Sequence, residues 1–340
     1  MADSALDVFQ AAEALLRAAK YPEALGAYLR VVRGVPAFWR ARFRIADTLL
    51  NLKAPRPALE IYKALAWQAV KAGQPLQGLV AIKMATALDP SQREAIDIIA
   101  QLYNHGSDRV DIGLESLPRR LLKKGDEAGE LGDLTGDALV ATAAQEAADT
   151  QAMGALPAKL PPLPLFSFLD EDAFVAVLQS IGLKRFVQGN KIITEGQPGE
   201  AFYVLADGNV EVTRQAGTKT AQLARLGAGS VFGEMALISD APRTATVTAM
   251  EDCEALELKR AALTEQAHKL ASITQALKSF THERFLTNLT ATSPVFKPFP
   301  RSIRVEIVKK FRDFPVDAGD ELITEGEAGQ GLFLVMKGEV

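Results

Sequence analysis

Five short runs rich in β-branched and other apolar residues lie in the second half of the chain and constrain its fold more than any other feature. Glycine-containing segments separate the runs, which occupy residues 191–195, 201–205, 209–214, 220–226 and 243–250. Segments of this length, bounded by turn residues, are typical of strands and are too short for stable helices. They predict a small β-barrel or sandwich, with a jelly-roll-like barrel preferred, and a helical stretch over residues 170–181 precedes it.

An internal duplication involves this barrel segment. The tetrapeptide Ile193-Thr-Glu-Gly196 recurs 130 residues later as Ile323-Thr-Glu-Gly326. The sequence therefore predicts the start of a second, incomplete copy of the barrel domain over residues 293–340. A complete second copy would run past residue 340. We therefore expect either a longer natural protein or apolar strands near this end that are exposed, paired elsewhere or disordered.

A different repeat organises residues 1–105. Ala and Leu recur here at helical spacing, and the breaks in the pattern predict about six helices. A shift of 34 residues superimposes Ala24-Leu25 on Ala58-Leu59 and Tyr28 on Tyr62, which we expect to be packing residues of the repeat. This period is that of helix-turn-helix solenoids, and the segment resembles the tetratricopeptide family.

That resemblance implies an N-terminal α-solenoid whose concave face binds a protein partner. The third unit of the repeat is either degenerate or shares a helix with the second. The alternative interpretation is an ordinary helical bundle, which would lack such a face.

Residues 106–161 are less regular. Gly, Asp, Ala and Pro are dispersed through weakly periodic sequence, and a proline-rich run follows at residues 156–164. We therefore expect a multidomain α + β chain with four parts. These are tetratricopeptide-like helical repeats at 1–105, a flexible linker at 106–161, a barrel domain with flanking helices at 162–292 and an incomplete second copy at 293–340.

Composition and motifs argue against several function classes. The 38 Lys and Arg residues against 42 Asp and Glu leave a net charge of −4, which gives no basic footprint for nucleic acid. The single Cys253 and three scattered histidines cannot form a disulfide or a Cys/His metal site.

The absence of a basic leader and of a long apolar run predicts a cytoplasmic protein without a membrane segment. Nucleophile-elbow, Walker and zinc-protease motifs are also absent, so we expect no enzyme.

One segment, residues 232–247, carries chemistry that points to a ligand. A glycine and an acid precede a short apolar helical turn, and an Asp-Ala-Pro bend then presents an arginine. The main-chain amides at Met235, Ala236 and Leu237 would be the unpaired donors of a helix N-terminus, which favour an anion. Arg243 adds a planar fork of donors suited to a phosphate.

Glu234 is unexpected in this segment, because a carboxylate repels a phosphate. It is explained as the acceptor for a sugar hydroxyl held next to the phosphate, and Gly233 lets the main chain approach that sugar. A phosphate and a ribose hydroxyl lie this close together in a 3′,5′-cyclic nucleotide. The sequence also allows the alternative that Glu234 and Arg243 form an ordinary ion pair without a ligand.

The segment resembles the phosphate-binding cassette of the cyclic-nucleotide-binding domain family. This family includes regulatory subunits of cAMP-dependent protein kinase, bacterial catabolite activators and cyclic-nucleotide-gated channels. The resemblance covers residues 165–292 and includes the strand pattern over residues 193–208. Its tandem layout is most similar to that of the kinase regulatory subunits.

The resemblance implies a role for each residue of the cassette. The implied site consists of Gly233, Glu234, Met235, Ala236, Leu237, Arg243 and Thr244. Glu234 and the Gly233 amide would hold the ribose 2′-hydroxyl, while amides of the turn and Arg243 would hold the cyclic phosphate. Thr244 would lie beside the phosphate and the purine.

We therefore predict a non-catalytic sensor of cAMP or cGMP, without a metal, that couples nucleotide binding to a protein partner through the helical repeats. cAMP is the preferred candidate. A residue of the following helical region, Leu270, Leu277 or Phe280, is expected to cap the purine. Two alternatives stay open: a scaffold with a degenerate nucleotide domain, and a transcription regulator like the catabolite activators, which needs a helix-turn-helix after the barrel.

Overall fold

The computed structural model describes most of the chain. The described residues are 3–92, 94–111, 120–151, 158–216, 219–234, 242–269, 272–273, 275–277, 279–280, 282, 286, 293, 295–296, 298–308, 310–312, 314–326 and 331–333. The chain divides into two compact units, Met1–Arg284 and Phe285–Val340.

Six helices occupy most of the first hundred residues, in agreement with the sequence analysis. They are α1 (Ala5–Arg17), α2 (Tyr21–Gly34), α3 (Trp39–Asn51), α4 (Pro55–Lys71), α5 (Pro75–Leu88) and α6 (Glu94–Tyr103). Helices α2, α4 and α5 each carry a proline in the first turn, where the missing N–H removes no helical hydrogen bond. Consecutive helices pack on each other from α1 to α6. The tetratricopeptide-like solenoid itself stays a prediction.

The 34-residue shift has a counterpart in the packing of two tyrosines. Tyr28 is fully buried, and its hydroxyl donates to Glu13 Oε1 at 2.6 Å. Tyr62 is also fully buried and donates to Asp47 Oδ1 at 2.5 Å. Burial, together with the neighbouring carboxylate, raises the pKa of both tyrosines, so both are neutral donors. Their burial agrees with the expected packing role, whereas the sequence did not indicate the carboxylate acceptors.

The segment expected to be a flexible linker contains a packed helix, α7 (Gly136–Ala148), which contacts α2, α3 and α4. The buried Arg42 side chain donates to the carbonyls of Glu146 and Ala147 at 2.7 and 2.9 Å, in the last turn of this helix. The expectation for residues 106–161 is therefore wrong for α7. Its weak periodicity hides a small apolar face that becomes stable only against neighbouring helices.

The strands form two four-stranded antiparallel sheets. They are β1 (Gly182–Phe186), β2 (Lys191–Ile193), β3 (Ala201–Asp207), β4 (Asn209–Ala216), β5 (Lys219–Gly227), β6 (Val231–Phe232), β7 (Thr246–Ala249) and β8 (Cys253–Lys259). One sheet has the order β1-β8-β3-β6 and the other β2-β7-β4-β5. Helix α8 (Glu171–Ser180) precedes the first strand, and α9 (Arg260–Lys269) follows the last.

The expected jelly-roll-like barrel consists of two packed sheets and, over the part of the chain that the structure describes, is not a closed barrel. Among the described residues, no strand pairing joins one sheet to the other. Side chains from both sheets, including Leu205 and Phe232 from one and Val210 and Val247 from the other, share one apolar core. Each sheet thus buries one face against the other sheet, so the hydrophobic side chains are removed from water although these strands do not form a closed barrel.

The other face of the β1-β8-β3 sheet packs on the N-terminal helices through five charged side chains, termed here the charge network. Arg44 Nε lies 2.8 Å from Glu13 Oε1, and Arg44 Nη1 lies 3.2 Å from Asp47 Oδ2. Arg185 of β1 lies 3.0 Å from Asp47 Oδ1 and 2.9 Å from Glu254 Oε1 of β8. Three carboxylates from helices and sheet therefore lie beside two guanidiniums.

The charges of this network depend on one another. Burial raises the pKa of Glu254, and Arg185 and Arg44 act against that rise. Burial also disfavours the charged form of Arg44, yet the surrounding carboxylates hold its pKa above the usual value. Each buried charge is therefore tolerated because opposite charges lie beside it. Around the network, the helices and β3 share one continuous apolar core.

The second unit, Phe285–Val340, contains the helix α10 (Arg301–Val308). No strand is present among its described residues. Ile323 and Leu332, which the duplication places in strands, are 72% and 58% exposed. The second copy of the barrel domain therefore rests on the sequence repeat and stays a prediction.

Within the described ranges, no helix combines the length and the apolar character needed to cross a bilayer. Those ranges also contain no group of three or more His, Cys, Asp or Glu side chains that could hold a metal ion.

Candidate functional site

The candidate site begins where β6 ends. Gly233 directly follows this strand and has a φ of +80°, a left-handed conformation that other residues rarely adopt. Glu234, the next residue, is only 5% exposed. The sequence therefore places a buried acid directly after a main-chain position that only glycine fits well.

Arg243 lies shortly before β7, and its main chain is hydrogen-bonded to the turn that follows β2. Its main-chain N–H donates to Gln197 O, and its carbonyl accepts from the Gly196 N–H, both at 2.8 Å. Its Nη1 donates to Gly233 O at 2.9 Å, and its Nη2 donates to Ala201 O. The guanidinium is thus held between the end of β6 and the start of β3.

The electrostatic environment of Arg243 suits an anion. Burial lowers the pKa of this guanidinium; Tyr203 and Glu234 oppose the effect, while Arg260 adds to it. The group remains charged at physiological pH, as arginine side chains do in proteins. Both terminal nitrogens donate to neutral carbonyls, so an anionic acceptor would gain a stronger, charge-assisted bond from the same nitrogens.

Of the remaining residues of the expected cassette, Thr244 lies among the described residues. Thr244 is exposed, and its carbonyl accepts from Arg214 Nε at 2.8 Å. Met235, Ala236 and Leu237 lie outside the described residues. The structure therefore brings Gly233, Glu234 and Arg243 together at one loop, while the anion-binding amides stay a prediction.

Phe280, one of the three residues expected to cap the purine once a ligand draws the helix toward the barrel, lies in the core in this structure, and the cap stays a prediction. The Phe280 side chain is 2% exposed and packs against Phe168 and Phe202, with ring centroids 5.9 and 6.1 Å apart. Leu277 packs against the same core, and Leu270 lies outside the described residues. The aromatic ring of Phe280 is therefore part of the core between the helices and β3.

Sequence reasoning missed two groups that shape the site. The carbonyls of Gly233 and Ala201 accept from Arg243, but a main-chain acceptor leaves no signature in residue type. Tyr203 stacks on Phe232 with centroids 5.4 Å apart and an interplanar angle of 21°, and its hydroxyl donates to Glu257 Oε1 at 3.2 Å. The aromatic residues in β3 and β6 were the available signal for this second contact.

Replacing Gly233 with alanine is expected to destabilise the fold more than replacing Gly189. A Cβ at Gly233 would lie 2.8 Å from both Arg243 Nη1 and Ile193 Cδ1, whereas Gly189, with a φ of +84°, has open space around it. Both substitutions carry the left-handed backbone cost of about 1–2 kcal/mol. The clash should add about 1–3 kcal/mol at Gly233 alone. Urea unfolding of both variants measures this difference, and equal losses would contradict the close contact.

With this geometry established, the comparison with known families identifies the class of domain. Residues 183–269, which run from β1 into α9, match the family model described as the cyclic nucleotide-binding domain. The chain therefore contains a cyclic nucleotide-binding domain, in the region where Gly233, Glu234 and Arg243 lie together.

Individual relatives are similar over part of the chain. The cAMP-dependent protein kinase regulatory subunit of Yarrowia lipolytica is 35% identical over 177 residues, which is 52% of this chain and 44% of that protein. A cGMP-dependent protein kinase of Drosophila melanogaster, isozyme 2, is 30% identical over 151 residues, 44% of this chain and 13% of that protein. Among solved structures, the catabolite activator protein of Thermus thermophilus is 32% identical, with a TM-score of 0.33 over 36% of this chain and 58% of that one. The chain spans less than half of the length of these two kinase relatives.

Proposed function

We propose that this chain is a non-catalytic sensor of a 3′,5′-cyclic nucleotide, with cAMP preferred over cGMP. The observation that carries the proposal is the convergence of Gly233, buried Glu234 and Arg243 on one loop of a nucleotide-binding domain. The names of the relatives also support it, since one is cAMP-dependent and another cGMP-dependent. Of these two, the cAMP-dependent relative is the more similar in sequence.

In the proposed complex, Arg243 binds the cyclic phosphate. Its two terminal nitrogens form a fork that matches two phosphate oxygens, and its single positive charge balances the single negative charge of the diester. The amides of Met235, Ala236 and Leu237 add main-chain donors to the same phosphate. No metal ion is needed for this balance of charge.

Glu234 and Thr244 complete the proposed contacts. A carboxylate accepts hydrogen bonds but donates none, so Glu234 pairs with the ribose 2′-hydroxyl and not with the phosphate. The Gly233 amide supports the same sugar. Thr244, at the exposed edge of the site, lies beside the phosphate and the purine. A protein partner that responds to the nucleotide is part of the proposal, because the Yarrowia relative is a subunit of a kinase.

A thermal-shift experiment tests this function on the nucleotide-free full chain. A ligand at 100 times its Kd adds about 2.7 kcal/mol to the stability of the state that binds it, which raises Tm by several degrees. We expect this shift with cAMP, a smaller one with cGMP and none with 5′-AMP, whose phosphate is not tied to the 3′ oxygen. If neither cyclic nucleotide shifts Tm, the alternative of a scaffold with a degenerate domain is favoured instead.

A further inference from the structure

The N-terminal helices bind the nucleotide domain through contacts at the end of β3, in addition to the charge network. Gln77 Nε2 of α5 donates to Ala206 O at 2.9 Å, and Gln77 is buried. Arg40 Nε of α3 lies 3.4 Å from Asp207 Oδ2. The last two residues of β3 are therefore held by two different helices.

The first residue of β3 belongs to the candidate site. Ala201 O accepts from Arg243 Nη2, at the opposite end of the strand from Ala206. The strand is paired with β8 on one side and with β6 on the other. The β6 pairing covers Tyr203 and Val204, and the β8 pairing runs along the strand with an irregularity between Leu205 and Asp207. This pairing connects Ala201 to Ala206, about 17 Å away at the usual rise of a strand.

The terminal nitrogens of Arg243 can donate hydrogen bonds to main-chain carbonyls, including one in β3, or to a phosphate. In this structure Nη1 and Nη2 donate to Gly233 O and Ala201 O. Each of these nitrogens carries two N–H groups, and charge-assisted bonds to a phosphate draw the whole guanidinium toward the anion, which lengthens its weaker bonds to the neutral carbonyls. The nucleotide-bound and nucleotide-free states thus differ in a contact to β3, which is the requirement for a ligand to shift an equilibrium.

We propose that β3 couples the nucleotide site to the N-terminal helices and that docking of these helices opposes nucleotide binding. The contacts of Gln77 and Arg40 hold β3 in the position where Ala201 O accepts a hydrogen bond from Arg243 Nη2. Phosphate binding withdraws that donor and weakens the helix contacts at the far end of the strand. By linkage, docking of the helices weakens nucleotide binding by the same factor by which nucleotide weakens docking, so a variant with weaker helix contacts binds the nucleotide more tightly. This inference rests on the proposed function.

The test measures the Kd for cAMP by isothermal titration calorimetry in Gln77→Met and in a matched control, Gln101→Met. Methionine has a shape similar to glutamine but cannot donate to Ala206 O. Gln101 lies on α6 and is exposed. We expect the Kd to fall about 3- to 10-fold in Gln77→Met, as for the loss of one opposing hydrogen bond, and to stay unchanged in the control. Arg40→Gln, which weakens the contact to Asp207, is a second variant with the same expected direction.

Hydrogen exchange of the wild-type chain adds a readout that a merely structural role of Gln77 would not change. cAMP should increase amide exchange in α3 and α5. Three results would overturn the coupling and leave the proposed function intact. They are an unchanged Kd in both Gln77→Met and Arg40→Gln, a higher Kd in either variant, and unchanged amide exchange in α3 and α5. Failure of the wild-type chain to bind cAMP or cGMP would instead overturn the proposed function, and this inference with it.

Discussion

Replacing Arg44 with methionine is expected to lower the free energy of unfolding by about 3–5 kcal/mol, the usual result of removing one partner from a buried ion network. Arg44 contacts Glu13 and Asp47, and its Nη1 lies 3.5 Å from Glu254 Oε1. Without it, Asp47 and Glu254 would keep Arg185 as their counter-charge, while Glu13 would keep the neutral Tyr28 hydroxyl. Urea unfolding followed by circular dichroism measures the loss.

An exposed arginine provides the matched control for this prediction. Arg225 on β5 lies 3.8 Å from Glu211, and its side chain is 64% exposed. Arg225→Met should change the free energy of unfolding by less than about 0.5 kcal/mol, because water screens exposed pairs. If Arg44→Met costs no more than this control, the charge network does not stabilise the contact between helices and sheet.

Replacing Arg243 with alanine is expected to weaken cAMP binding by about 30- to 800-fold, equivalent to about 2–4 kcal/mol for a charge-assisted bidentate contact. Arg243→Lys should lose most of the same affinity, because an ammonium group is a single point donor and cannot bridge two phosphate oxygens. Titration calorimetry gives the Kd of each variant, and thermal unfolding shows whether the fold is retained.

Arg214→Ala is the control for this second prediction. Arg214 lies near the site, where its Nε donates to Thr244 O, but it is exposed and makes no contact with Gly233. Its removal should change the Kd by less than about threefold, as for a screened surface charge. Binding that is unchanged in Arg243→Ala and Arg243→Lys would show that the phosphate is held elsewhere.

Most strands were predictable because they are short runs of β-branched and other apolar residues separated by glycine-containing turns. The runs at 201–205, 209–214 and 220–226 correspond to β3, β4 and β5 within a few residues. The run at 243–250 was predicted three residues too early, since β7 begins at Thr246. Arg243 directly precedes a run rich in β-branched residues, which made it look like part of the strand. Its main chain instead forms hydrogen bonds with residues 196–197, in the turn after β2.

Strands β1 and β8 were missed for a different reason. Both carry charged residues at positions that face the helices, such as Arg185 and Glu254, which makes them resemble exposed segments. Their counter-charges come from far away in sequence; Arg185 and Asp47 are 138 residues apart. Local patterning cannot reveal such a partner, because only the tertiary fold brings the two charges together.

The candidate site was predictable in its side chains and not in its geometry. Glu234 and Arg243 are charged residues of opposite sign at a spacing that suggested a phosphate ester of ribose, and the structure brings both to the loop after β6. The engagement of Arg243 with Ala201 O could not be anticipated, because every residue carries a carbonyl. That contact is also what links the site to β3.

Calorimetric titration of the nucleotide-free 340-residue chain with cAMP tests the central claim most directly. The account predicts saturable binding with a Kd in the micromolar range or tighter, about −8 kcal/mol or more favourable, and no binding of 5′-AMP. A titration that shows no saturable heat with either cAMP or cGMP up to millimolar concentration would contradict it.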